Sequence, residues 1–153
     1  MNYSIRRANA SDLPAIEALL PRLAEFDVPE HRKPEELWHG DRDMIQAWAS
    51  DLRADIDVAV AVIRDSIEGV AVISARKELL NGEPSAHLEV LAVSRKAQGS
   101  GIGSALIREA ESMASAKGAL SMSLHVFSVN HRARKLYERH GFDTELLRCY
   151  KRL

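Results

Sequence analysis

Apolar positions recur along the chain with two spacings, and each spacing predicts a different kind of element. Alternating or β-branched apolar runs predict strands. These strands are expected over residues 3–8, 57–63, 69–75, 87–93 and 120–126, with one or two more between 142 and 151. Because the link at 64–68 is short, the second and third strands should pair as a hairpin.

A spacing near 3.6 residues predicts four helices. The first follows Asp12 and is kinked or ended by Pro21, which cannot donate a backbone hydrogen bond. The others are predicted over residues 41–54, 101–117 and 131–140. Asn130 is placed as the N-cap of the last helix. The order of elements predicts one domain over residues 1–153, a layered α/β or α+β structure.

Composition narrows the class of protein. The chain has 153 residues, with 21 Lys and Arg against 22 Asp and Glu, a balance that argues against a nucleic-acid binder. Cys149 is the only cysteine, so no intramolecular disulfide can form and a reducing cytosol fits. No apolar run suits a signal peptide or a membrane span. We therefore expect a cytoplasmic protein with no membrane and no nucleic acid among its partners.

Charge is distributed unevenly along the sequence. Residues 25–57 hold ten acidic and four basic side chains, whereas residues 119–153 hold seven basic and three acidic ones. Solvated helix faces would explain both segments. A functional interpretation places the acidic segment against a cationic acceptor and the basic segment against an anionic cofactor.

A glycine-rich turn follows the strand predicted at 87–93 and opens the helix predicted at 101–117. Gly99, Gly101 and Gly103 leave backbone N–H groups uncovered at the positive end of that helix, which is a site for a phosphate or pyrophosphate. The spacing lacks the Lys-Ser or Lys-Thr of a P-loop, and it is not the G-x-G-x-x-G of a dinucleotide site. Tight packing of strand on helix is the other interpretation of these glycines.

The turn and a later segment together resemble the GCN5-related N-acetyltransferases. The motif [RQ]-x-x-G-x-[GA] is matched by residues 98–103, which read Gln-Gly-Ser-Gly-Ile-Gly. The family's second motif is similar to Asn130, Ala133, Leu136, Tyr137, Gly141 and Phe142. The resemblance implies a mixed, mostly antiparallel twisted sheet with helices on both faces. Its parallel strands, 88–93 and 120–126, should splay apart to admit a cofactor.

The resemblance also implies the cofactor, acetyl-CoA or another acyl-CoA, and the residues that bind it. Turn amides would hold the pyrophosphate, the backbone at Val93 would pair with pantetheine, and the N–H near Leu91 would polarise the thioester carbonyl. Asn130 resembles a cofactor-contacting Asn, and Arg132 is among the basic residues that should meet phosphates. The implied cofactor-binding set is Leu91, Ala92, Val93, Gln98, Gly99, Ser100, Gly101, Ile102, Gly103, Asn130 and Arg132.

Catalytic roles follow from the same resemblance. Tyr137 matches a tyrosine that protonates the departing thiolate, although its helical position also suits core packing. Glu89 interrupts an apolar strand and is the first candidate for the general base that deprotonates the amine. His87, two residues earlier on the same strand face, is its rival. Glu89 as a paired or substrate-orienting carboxylate, and a water relay as base, both stay open.

Several functions remain open from the sequence alone. The leading hypothesis is an N-acetyltransferase in which a primary amine of a small molecule or peptide attacks the thioester directly. A catalytically inactive acyl-CoA-binding regulatory module is the alternative, and a protein-modifying acetyltransferase is a third. No His or Cys spacing predicts a metal site. Many members of the resembling family dimerise, so a homodimer is compatible with the sequence.

Overall fold

Five strands form one sheet in the computed structural model, which describes residues 2–153, and they lie in the order β1-β2-β3-β4-β5. Their bounds are β1 Ser4–Arg7, β2 Ile56–Ile63, β3 Ser66–Lys77, β4 Pro84–Val93 and β5 Met122–Leu124. The pairs β1–β2, β2–β3 and β3–β4 are antiparallel, and β5 runs parallel to β4. This architecture confirms the predicted mixed, mostly antiparallel sheet with one parallel pair.

The described residues form four α-helices. They are α1 Leu13–Leu19, α2 His39–Ala49, α3 Ile102–Ala116 and α4 His131–Arg139. The first helix gives way to a 3₁₀ turn at Leu20–Ala24, as the missing N–H of Pro21 predicts. The second ends five residues earlier than predicted, because the chain turns at Asp51, whose φ of 63° is left-handed.

The helices lie on both faces of the sheet and bury two separate apolar clusters. On one face, α3 packs through Ile102, Leu106 and Met113 against β2, β3 and β4. On the other face, α1 and α2 contribute Ile16 and Ile45 to the second cluster, which also contains Val90. The apolar residues that recur about every 3.6 positions in α3 form its buried face.

A β-bulge in β4 interrupts the pairing with β3. Val72 pairs with Val90, but Ile73 pairs with Leu88, so Glu89 is the extra residue. The bulge reverses the alternation of side chains along the strand. Leu88 lies in the cluster under α3, whereas Val90 lies in the cluster under α1 and α2.

The parallel pair β4–β5 ends at the same place. Its register covers only Ala86–Leu88 against Met122–Leu124, so the stretch of β4 from the bulge to Val93 extends beyond the pairing with β5. The two strands thus splay apart as predicted. The opening between them is called the cleft below.

The strands predicted between residues 142 and 151 are wrong. This segment contains no strand in the structure, and Leu147 is 83% exposed. Charged residues alternate too irregularly with the adjacent Leu146 and Leu147 to give one apolar strand face. The segment is instead attached through Tyr150, whose ring stacks on His31 at 4.7 Å between centroids.

We expect Gly69→Ala to destabilise the protein by about 1–3 kcal/mol through overpacking. A Cβ at Gly69 would lie 2.9 Å from both Ile102 Cγ2 and Leu106 Cδ1, where α3 presses on β3. Urea unfolding would measure the change. The control is Gly40→Ala in α2, where a Cβ meets nothing within 4 Å and no stability should be lost. Equal behaviour of the two variants would contradict this packing.

Candidate active site

The glycine turn connects β4 to α3 through a backbone that glycine makes accessible. Gly99 and Gly101 have φ values of 79° and 86°, in the left-handed region, and Gly101 is the N-cap of α3. The first bond of the helix runs from the N–H of Ala105 to the carbonyl of Gly101 at 3.0 Å. The preceding amides of Ile102 and Gly103 therefore lack intrahelical partners, and they lie at the positive end of the helix dipole, a geometry that suits an anion.

Two of the predicted donors in this turn are used within the turn itself. The N–H of Gln98 donates to the carbonyl of Arg95 at 3.2 Å, and the N–H of Ser100 donates to the carbonyl of Ala97 at 3.3 Å. The amides best placed for a phosphate are therefore those of Gly99, Gly101, Ile102 and Gly103.

Gly103 also serves packing. A Cβ at this position would lie 3.3 Å from Leu136 Cδ2, so the missing side chain lets α4 approach the first turn of α3. Leu136 precedes Tyr137, and the close approach therefore helps to position the tyrosine. Tight packing is therefore an observed role of the glycine at 103, and the anion site stays a prediction.

The end of β4 carries a cluster of arginines, of which Arg22 was not singled out from the sequence. Arg22 Nε donates to the carbonyl of Val93 at 2.8 Å, and Arg22 pairs with Glu25, which also accepts from Arg95 Nε at 2.8 Å. Burial, and then the charges of Arg95 and Arg132, lower the pKa of Arg22. This excess of positive charge borders the cleft and suits an anionic ligand. A group that pairs with the Val93 carbonyl must share it with Arg22.

Glu89 lies at the bulge with one carboxylate oxygen engaged. Its Oε1 accepts from Ser74 Oγ and from Arg76 Nη2, each at 2.6 Å. Both bonds fall on the same oxygen, so neither occupies Oε2. The structure thus gives Glu89 a counter-ion and still leaves an oxygen for a substrate proton. Sequence reasoning had left both roles open.

His87 is a buried polar side chain of the site, with 4% exposure. Its Nδ1 lies 2.7 Å from Ser123 Oγ on β5, and its ring is 4.7 Å from that of His125. Burial lowers the pKa of His87 to about 4, although the charge of Glu89 acts in the opposite direction. The ring is therefore neutral near pH 7, and its basicity is low for a general base.

Asp41 is a titratable residue near the charge of Glu89 that the sequence analysis did not single out. It lies in the first turn of α2 and is half-buried. Burial, followed by the charge of Glu89, raises the pKa of Asp41 to about 7, and His39 opposes this rise. In the sequence, Asp41 is an acidic residue on an otherwise apolar helical stripe. The net charge of the segment does not distinguish this residue from its neighbours.

Asn130 and Tyr137 hold the α4 side of the cleft. Asn130 is the N-cap, since its Oδ1 accepts from the N–H of Ala133 at 3.3 Å. Tyr137 packs against the cluster under α3 and meets Phe142 edge-on at 6.0 Å. Burial raises the pKa of Tyr137 to about 12, so the phenol keeps its proton at physiological pH. Tyr137 therefore lies on the α3 face of the sheet. Glu89 lies on the other face, because it bonds to Ser74, which alternates with Ile73 of the α3 face.

Two further classes of site find no support in residues 2–153. No three or more His, Cys, Asp or Glu side chains of this range group as ligands for a metal ion. Within the same range, every helix is too short or too polar to cross a bilayer.

Comparison with known proteins agrees with this fold. The family model described as "Acetyltransferase (GNAT) family" matches residues 17–142. The chain therefore belongs to the GNAT acetyltransferase family, whose members use acetyl-CoA. No curated protein sequence matches the chain.

Solved structures with the same fold cover nearly the whole chain. AAC(6')-Iy, in complex with the bisubstrate analogue CoA-S-monomethyl-acetylneamine, has a TM-score of 0.74 at 22% identity, covering 100% of this chain and 99% of its own. Ribosomal-protein-alanine N-acetyltransferase from Brucella melitensis biovar Abortus 2308 gives 0.72 at 18%, with 99% of each chain covered. An aminoglycoside acetyltransferase from an uncultured soil metagenomic sample gives 0.71 at 20%, covering 99% and 96%.

Asp41→Asn should stabilise the protein at alkaline pH. The pKa of Asp41 is higher in the folded chain than the 3.8 of a free carboxyl, so folding stability falls as pH rises through about 7. After allowance for partial exposure, we expect a gain of about 1–2 kcal/mol at pH 8 and less at pH 5. Urea unfolding at both pH values measures it, with Asp43→Asn as an exposed control. A gain independent of pH would contradict the assignment.

Proposed function

We propose that the chain transfers an acetyl group from acetyl-CoA to a primary amine of a small molecule or peptide. The observation that carries this proposal is the cleft itself. It opens beside an anion-binding turn and has a carboxylate on one face and a protonated phenol on the other. Its residues fit the donor, because free amides and an arginine cluster suit phosphates and the cleft exposes an edge of β4.

The donor supplies a thioester, and the residues of the chain divide the remaining work. The amine nitrogen forms a bond to the acetyl carbon, the carbon–sulfur bond breaks, and the proton of the amine must leave. Glu89 accepts this proton through Oε2, directly or through a water, while Arg76 fixes Oε1. His87, neutral and bound to Ser123, is better suited to orient the acceptor than to act as the base.

Tyr137 supplies the proton on the sulfur side. Its phenol stays protonated, because burial raises the pKa of Tyr137 to about 12, whereas a thiol has a reference pKa of about 8.5. Full proton transfer to a free thiolate would be uphill. Donation of a hydrogen bond that strengthens as the sulfur gains charge is therefore the favourable role.

The pyrophosphate would be held by the amides of Gly99, Gly101, Ile102 and Gly103, with Arg132 and Asn130 near the same end of the cleft. Leu91, Ala92 and Val93 would form the wall along which the donor lies. Two structural neighbours are named for their acceptors, an aminoglycoside and a ribosomal-protein alanine, and these represent the small-molecule and the protein amines respectively. The cytoplasmic location and the homodimer remain predictions from the sequence.

We expect Tyr137→Phe to lower kcat by about 100-fold and to leave acetyl-CoA affinity nearly unchanged, as loss of a general acid does. Thiol release with a panel of primary amines measures the first quantity. Thermal unfolding with saturating acetyl-CoA measures the second, since a ligand at 100 times its Kd adds about 2.7 kcal/mol. The control is Tyr150→Phe, which removes the same hydroxyl from an exposed ring outside the candidate site.

Three outcomes separate the hypotheses. Thiol release by the wild type and its loss in Tyr137→Phe support the proposal. If acetyl-CoA stabilises the wild type but no amine of the panel causes thiol release, an inactive acyl-CoA-binding module is favoured. Equal turnover by wild type and Tyr137→Phe assigns Tyr137 to packing alone.

A further inference from the structure

A buried carboxylate lies beside the start of the glycine turn. Glu68, in β3, is 3% exposed. Its Oε1 lies 2.7 Å from Lys96 Nζ and accepts a hydrogen bond from Ser66 Oγ at 2.6 Å. A buried charge is costly unless it is paired and hydrogen-bonded, and Glu68 has a partner of each kind. Burial alone would raise the pKa of Glu68, but its contacts with Lys96 and Ser66 lower it, so the carboxylate is charged near pH 7.

The main chain of Glu68 holds the same segment as its side chain. The N–H of Ser94, the first residue after β4, donates to the carbonyl of Glu68 at 2.8 Å. Lys96 lies two residues further on, within the 3₁₀ turn Arg95–Ala97. One residue of β3 therefore holds residues 94–96 at two points, through a backbone hydrogen bond and through an ion pair.

The next residue of β3 holds the other end of the turn. A Cβ at Gly69 would lie 2.9 Å from Ile102 Cγ2, so this glycine lets the first residue of α3 pack directly on the strand. Gly99 and Gly101, whose φ values are left-handed, lie between the two points of attachment. Glycine loses more conformational freedom than other residues when it is ordered, so fixed ends lower the cost of aligning the amides of this turn for a ligand.

We propose that Glu68 and Lys96 are positioning residues for the acyl donor, whose ion pair holds the glycine turn in the shape that binds phosphate. The inference rests on the proposed function, because it concerns the same donor site. Neither side chain needs to contact the donor, since Lys96 Nζ lies 2.7 Å from a carboxylate that offsets its charge. Loss of either partner should loosen the turn and weaken donor binding, whereas acetyl transfer from bound donor should keep its rate.

The test is a double-mutant cycle of Glu68→Gln and Lys96→Met in the full chain, read by calorimetric titration with acetyl-CoA. Each single variant should raise the Kd of acetyl-CoA about tenfold, as loss of a hydrogen-bonded charge does. The double variant should bind no more weakly than either single one, because both changes remove the same interaction. In thiol-release assays the KM for acetyl-CoA should rise likewise, while kcat at saturating donor stays within about twofold. The side chain of Lys96 is 72% exposed, so Lys96→Met should fold even if Glu68→Gln does not.

The control is the same cycle on an ion pair at the opposite end of α3. Lys117, the C-cap of that helix, has its Nζ 2.9 Å from Asp57 Oδ2. Asp57→Asn and Lys117→Met make the same chemical changes as the test variants. They should lower the free energy of unfolding and leave the Kd of acetyl-CoA unchanged.

The outcomes separate positioning from direct contact and from general loss of stability. An unchanged Kd in both Glu68→Gln and Lys96→Met overturns the inference. So does weakening by Lys96→Met that is absent in Glu68→Gln or fully additive with it, since Lys96 then binds the donor directly. Equal weakening by the control pair also overturns it, since lost stability then explains the effect.

Two results distinguish this inference from the proposed function. A wild type that binds no acetyl-CoA overturns both together. A wild type that binds acetyl-CoA but acetylates no amine overturns the proposed transfer alone, and the Kd values of the cycle still decide whether Glu68 and Lys96 position the turn.

Discussion

The single extra residue at Glu89 is the constraint on which the site depends. Without it, β4 would keep one alternation of side chains and could continue its pairing with β5. With it, Leu91 and Val93 face the α3 side, Val90 and Ala92 face the α1 and α2 side, and pairing with β5 stops at Leu88. The same residue opens the cleft and places a carboxylate at its edge.

Electrostatics then divide the cleft into two ends. The glycine turn at the start of α3 and the arginines around Val93 give one end a positive character. The other end holds the carboxylate of Glu89, and burial followed by the charge of Glu89 raises the pKa of Asp41. Tyr137 keeps its proton because it is buried, and His87 stays neutral for the same reason. The protonation states of Tyr137 and His87 thus follow mainly from their burial.

Much of this arrangement could be predicted from the sequence, because it rests on local patterns. The four helices, the five strands and the glycine turn follow from spacing and from residues such as Pro21 and Asn130. The C-terminal strands were predicted wrongly, since an apolar count does not show that Tyr150 stacks on His31 instead. Arg22 was missed because its contact with Val93 joins residues 71 positions apart. Asp41 was missed because its raised pKa arises from burial, which the sequence does not show. The bulge was equally invisible, since register is a property of the pair of strands.

The central claim, that the cleft beside the glycine turn binds the acyl donor, is tested most directly by hydrogen–deuterium exchange of the full chain with and without acetyl-CoA. Backbone amides that bind phosphate exchange slowly. We expect acetyl-CoA to slow exchange in peptides covering residues 99–104 and 88–94, with smaller changes in β1 and β2. Unchanged exchange in both segments would contradict this claim, whether or not acetyl-CoA slows exchange elsewhere in the chain.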